Sequence, residues 1–143
     1  MHLIFGGAYQ GKLDYAKKRY GLSDHDVFVC EAGSGEGFGA HGAETGGCTE
    51  KAGIDFDKKI IYRLEEFVLG CVRRGEEAVD FLKENRQKWQ DTVFLCTDIS
   101  SGVVPVEPEM RALREMVGRT LVYLGKEAEE VTRMFCGIPQ KIK

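Results

Sequence analysis

The chain has 143 residues and a mass of 16.0 kDa, a length for one domain with a real core. Hydrophobic residues make up 43% and charged residues 30%, the balance of an ordinary soluble domain. Twenty basic against 23 acidic side chains leave a net charge of −3, which argues against a nucleic-acid partner, because such binding rests on Lys and Arg neutralising phosphates. No apolar run approaches the ~18–20 residues that span a bilayer. The opening residues lack a basic stretch followed by a long apolar one, so no signal peptide is expected and the expected location is cytoplasmic.

The apolar residues 2–5 end at Gly6-Gly7 and read as a strand entering a turn. Leu13, Ala16 and Tyr20 recur at helical spacing over 12–20, and Gly21 supplies the stop. Residues 26–30 read as a second strand. Eight glycines then crowd between Gly33 and Gly53, so 32–56 is predicted to be a long mobile loop. Residues 59–64 fit either a third strand or the start of a helix. Helical spacing follows over 65–74 and again over 76–89. Residues 92–96 are continuously apolar, as in a sheet covered on both faces. Pro105 and Pro108 bracket a turn, 109–124 is predicted helical, and 126–132 adds a turn or short helix. A last strand falls within 131–137 and closes at Ile138-Pro139.

Strands alternating with helices predict one α/β domain over 1–143, with a mainly parallel sheet and no internal repeat. Cys30, Cys96 and Cys136 sit in apolar runs and are expected to be buried on strands, whereas Cys48 lies in the glycine-rich loop. With no C-x-x-C pair, neither a zinc site nor a redox motif is supported. His2 and His25 read as surface residues, and Trp89 as packing against the sheet.

The turn after the first strand carries Gly6, Gly7, Ala8, Tyr9, Gln10, Gly11, Lys12 and Leu13. Gly-x-x-x-x-Gly-Lys between a strand and a helix is the spacing of a phosphate-binding loop. Its glycines let several N–H groups converge, and the helix presents its positive end to the same point. Lys12 would hold the outer phosphates; the alternative is a solvated lysine at a helix start. Leu13 stands where the pattern places a Ser or Thr hydroxyl for Mg²⁺.

Further along come Asp98-Ile99-Ser100-Ser101-Gly102-Val103-Val104-Pro105, then Arg111, Arg114-Glu115, Gly118-Arg119, Ala128-Glu129-Glu130-Val131 and Cys136-Gly137-Ile138-Pro139. This series, together with Gly6-Gly7, resembles the bifunctional adenosylcobinamide kinase / adenosylcobinamide-phosphate guanylyltransferase family. The resemblance covers about 1–31 and 59–143. It implies a three-layer P-loop nucleotide-binding fold and a transferase that uses ATP or GTP with Mg²⁺ on a corrinoid substrate. Lys12 and Asp98 would be its catalytic residues, Asp98 also its metal ligand, and residues 6–13 its nucleotide cradle. Family members tend to assemble, so a homo-oligomer is an open expectation.

The departures are specific. Gln10 replaces a loop serine, and Leu13 the metal-binding hydroxyl. The acid expected at the end of the third strand falls at Tyr62-Arg63, with Glu65 and Glu66 displaced along the chain. The setting of His41 does not match the family's guanylylated histidine, and that role is not carried onto it. With these positions lost, catalysis is expected to be reduced or lost, and the alternative is a non-catalytic nucleotide- or corrinoid-binding relative acting as a sensor or partner. Arg111 and Arg114 either reach a triphosphate or form helix-surface ion pairs, Arg111 with Glu115.

Overall fold

A computed structural model describes residues 1–33 and 53–143. Most of the predicted glycine-rich loop, with His41 and Cys48, lies outside the described residues. Its described end is packed: Ile54 is buried, and the Phe56 ring stacks on Phe81 at 6.2 Å.

The described elements are β1 (His2–Gly6), α1 (Lys12–Tyr20), β2 (Val27–Val29), β3 (Ile60–Tyr62), α2 (Leu64–Arg74), α3 (Ala78–Glu84), β4 (Val93–Thr97), α4 (Pro108–Glu127), β5 (Glu130–Phe135) and β6 (Ile138–Lys141). The strands form one sheet in the order β2-β3-β4-β1-β5-β6. All neighbours are parallel except β5 and β6, which form an antiparallel hairpin.

Alternation along the central strands sorts the core into two layers. Ile4, Val93, Leu95 and Ile60 face α1, packing with Ala16 and Met134. Leu3, Phe94, Cys96 and Ile61 face the opposite way, against Leu64 and Val68 of α2, Leu82 of α3, and Val117 and Leu124 of α4. Helices thus cover both faces of the sheet, which is why β4 carries no polar alternation. Trp89 is 1% exposed and meets Phe94 edge-on at 5.8 Å. Its indole N–H donates to the Leu82 carbonyl at 2.9 Å, satisfying the one polar group it buries.

Several expectations are corrected. Residues 59–64 are both alternatives in succession, a three-residue strand and a helix start, joined at Arg63 with φ 59°. The helix predicted over 76–89 is the seven-residue α3 followed by a 3₁₀ turn at Arg86–Lys88. The final helix runs unbroken to Glu127, so the separate turn at 126–132 does not exist. Cys136 is exposed in the β5–β6 turn at φ 51°, not buried on a strand. His2 lies within β1, its ring 5.1 Å from Tyr20 and its Nδ1 buried, so it is not a surface residue. His25 is exposed, as expected.

Candidate functional site

The strand order creates one crevice. β1 and β4 are adjacent and parallel, yet the chain leaves β1 toward α1 on one face and leaves β4 toward α4 on the other. Loops that diverge from neighbouring carboxyl ends open the gap in which α/β sheets place ligands. Residues 7–11 follow β1 and residues 98–107 follow β4 at that end of the sheet.

The first loop is shaped by close approach. A Cβ on Gly6 would lie 2.3 Å from the Met134 carbonyl oxygen, so β1 can end here only on a glycine. Gly11 caps α1 at φ 73°, a left-handed conformation that costs glycine little. Tyr9 adopts φ 57° with its side chain fully exposed. A non-glycine residue held there carries strain of the kind that gathers at ligand sites.

Lys12 is 5% exposed, which excludes the solvated-lysine alternative. Its Nζ donates to the carbonyl oxygens of Gly7 at 2.6 Å and Gly6 at 3.2 Å, so the ammonium is folded into the loop. Burial depresses its pKa below 10.5, against the opposing influence of the Glu65 charge. Among the described residues nothing accepts from the amides of Lys12, Leu13 and Asp14, the open N–H groups of the first helical turn. Gln10 folds over Gly7, and its Oε1 is buried without a donor among the described residues. The open first-turn amides beside a buried cation suit an anion that would complete their bonding, whereas Gln10 Oε1 calls for a donor.

Magnesium fits less well. Leu13 packs with the Ile4–Ala16 cluster beneath α1. Asp98 Oδ1 accepts from the Ser100 amide at 2.9 Å and from the Ser100 hydroxyl, and Oδ2 accepts from the Ser101 hydroxyl at 3.3 Å. Its own amide donates to the Gly6 carbonyl at 2.9 Å, tying the second loop to the first. Asp98 therefore stands at the crevice but is bonded as the former of its own turn. Among the described residues no three His, Cys, Asp or Glu side chains gather as a metal-binding set. The residues present do not fit a side-chain magnesium site.

Burial pushes the Asp98 carboxyl upward, but the Ser100 and Ser101 hydrogen bonds and the Arg133 charge outweigh it and leave the pKa below 3.8. Its contribution to stability is present above the unfolded value and is lost as pH falls through the lower folded one. Asp98→Ala is expected to cost about 1 kcal/mol at neutral pH, discounted for its partial exposure. Urea denaturation at pH 7 and at successively lower pH below 3.8 checks both the cost and its decline in acid.

The structure brings in a residue that the sequence left displaced. Glu65, the second residue of α2, accepts the Thr97 amide on Oε2 at 2.9 Å. Thr97 is the register partner of Gly6, whose carbonyl holds Lys12. Glu65 thus supplies a carboxylate at the crevice, where Tyr62-Arg63 offers none. The signal that could have found it is an acid within three residues of the carboxyl end of a parallel strand. Glu65→Gln is expected to lower the Lys12 pKa further, because it removes the opposing negative charge. A ¹⁵N NMR titration of Lys12 Nζ tests this; an unmoved midpoint would place Glu65 too far away to matter. Glu66 instead pairs with Arg63 at 2.6 Å.

Arg111 and Arg114 hold the second loop. Arg111 donates to the carbonyls of Pro105 and Val106, and Arg114 to those of Ser100 and Gly102. The expected Arg111–Glu115 pair is not formed, since Glu115 pairs with Arg119. Desolvation raises the Cys96 thiol well above 9.0, and pushes Cys30 up to about 12 and Cys71 to about 11. All three stay protonated and poorly nucleophilic at neutral pH.

No protein-family model matches the chain, and no curated protein matches it.

Proposed function

We propose that the chain grips the phosphate chain of ATP or GTP in the β1–α1 loop, as a P-loop protein does. On that basis it is read as a kinase/guanylyltransferase-type transferase acting on adenosylcobinamide or its phosphate. The observation that carries this reading is the Lys12 ammonium, buried at the open amino end of α1 and in the crevice between β1 and β4. A phosphate entering there would replace two neutral carbonyls with charged oxygens as acceptors for Lys12, a stronger class of hydrogen bond. Glycines and first-turn amides would meet the remaining oxygens. The corrinoid part rests on the sequence resemblance around 98–118.

What the chain's own residues supply is binding and orientation. Lys12 holds and neutralises phosphate oxygens. Arg111 and Arg114 fix the course of the 98–107 loop, and the Asp98 amide locks that loop to Gly6. In phosphoryl transfer, positioning and charge stabilisation carry most of the catalysis.

A specific observation favours the second reading, a nucleotide- or corrinoid-binding relative without catalysis. Leu13 offers no side-chain oxygen and is partly buried against the Ile4–Ala16 cluster, and Asp98 is engaged within its own loop. Calorimetry with GTP, with and without Mg²⁺, separates the readings when paired with an assay of phosphate transfer to adenosylcobinamide. Binding with turnover supports the transferase. Binding without turnover, indifferent to Mg²⁺, supports the sensor. Absence of binding by either nucleotide overturns both.

A further inference from the structure

A large cavity among the described residues has no phosphate-loop residue in its lining. It is an open groove of about 860 Å³ between α3, α4 and the 98–107 loop. One stripe of α4 forms its long wall, from Arg111 through Gly118 and Val122 to Lys126, at the helical spacing that places these residues on one face. The neighbouring stripe, Leu113, Val117 and Leu124, is buried in the core, so the groove uses the face the fold leaves free. Val79, Val104, Val122 and Tyr123 make its surface mostly apolar. Val104 and Val122 are 60% and 59% exposed, side chains whose burial by a ligand would be favourable.

The rim has a definite sign. Lys83 pairs with Asp80, and Arg119 with Glu77 and Glu115. That accounts for all three acids lining the groove. Arg111 and Arg114 donate only to backbone carbonyls, and no described carboxylate pairs with Lys126. Among the described residues, three cations are therefore left without a carboxylate partner around an apolar floor.

We infer that this groove is a binding site for a small amphipathic anion, its apolar body on Val79, Val104, Val122 and Tyr123 and its acidic group toward Lys126. The volume falls within the ~300–1,000 Å³ of small-molecule sites. A partner helix is a poorer occupant, because the α3 wall has only seven residues, about 10 Å of helix. The inference goes beyond the nucleotide reading and stands without it.

Gly118 provides the test. A Cβ there meets nothing within 4 Å, so Gly118→Leu should fill the groove without disturbing the fold. The probe is 1-anilinonaphthalene-8-sulfonate, an apolar ring system with one sulfonate, and its uncharged counterpart is N-phenyl-1-naphthylamine. The native chain is expected to bind one sulfonate probe, with NMR shift changes centred on Val79, Val104 and Val122. Gly118→Leu should weaken that binding at least about tenfold, with an unchanged melting temperature. Lys126→Glu should weaken the sulfonate probe but not the uncharged one. If Gly118→Leu fails to fold, Val122→Asp at an exposed position serves in its place. Native-like probe binding by the blocked variant overturns the site, and equal affinity for the two probes overturns its preference for anions.

Discussion

Lys12→Met is expected to weaken nucleotide binding by about 100-fold while leaving the fold at least as stable as before. The two halves of this expectation share one cause. Hydrogen bonds to a charged group contribute roughly 1.5–3 kcal/mol each, and about 1.4 kcal/mol is a factor of ten, so losing the ammonium removes about two powers of ten in affinity. In the free protein the same ammonium is buried against two neutral carbonyls, and its desolvation is unfavourable. Methionine keeps an unbranched apolar stem and removes that cost. A lysine serving chiefly to brace the loop would give the opposite stability result, because the loss of its bond to the Gly7 carbonyl would then outweigh the relief of desolvation. Calorimetry with GTP and thermal denaturation of the same variant measure the two effects separately.

The pH dependence has a definite sign. The folded pKa of Lys12 lies below the ordinary 10.5, so between the two values the unfolded chain binds more protons. Stability attributable to this residue therefore rises with pH through that window. Nucleotide affinity falls through the folded value, because the neutral amine no longer attracts phosphate. Opposite slopes in one pH range are expected of the native chain. Both should be absent from Lys12→Met.

The amino-terminal third was legible where glycine punctuates it. Gly11 and Gly21 bound α1 at positive φ, and the helix runs over the residues that its apolar spacing indicated. The β3–α2 junction was ambiguous because a single residue, Arg63, turns the chain, leaving no polar break between strand and helix. β6 escaped because all four of its residues are exposed, so it carries no apolar alternation; what forms it is the reversal at Cys136-Gly137. Within the site, the phosphate-loop spacing placed Lys12, but spacing could not say that its ammonium would turn inward. Glu65 was displaced in the sequence and became a neighbour only through the pairing of β3, β4 and β1. Arg111 and Arg114 show the same limit. Helical spacing offered Glu115 as a partner, but the loop carbonyls above the helix present several acceptors, and those were taken instead.

Leu13→Ser is expected to make nucleotide handling depend on magnesium, and to raise any phosphate transfer by about 100-fold. The position immediately follows Lys12 in the first turn of α1, where the phosphate-loop pattern carries the hydroxyl that ligates Mg²⁺ beside the outer phosphates. A bound metal supplies several kcal/mol of charge stabilisation in such transfers, so a hundredfold effect is a modest share of that. The substitution has a structural cost. Leu13 is partly buried against the cluster of Ile4, Ala16 and Met134, and trimming it should lower stability by about 1–2 kcal/mol. That loss must be measured first, by denaturation, so that reduced folding is not mistaken for reduced activity. GTP affinity is then compared with and without Mg²⁺ in the native chain and the variant. A native chain indifferent to the metal beside a responsive variant would identify Leu13 as the residue that silences a competent loop. If the variant responds no more than the native chain, residue 13 is not the limiting defect, and the Asp98 turn, whose oxygens are held by Ser100 and Ser101, becomes the next place to restore.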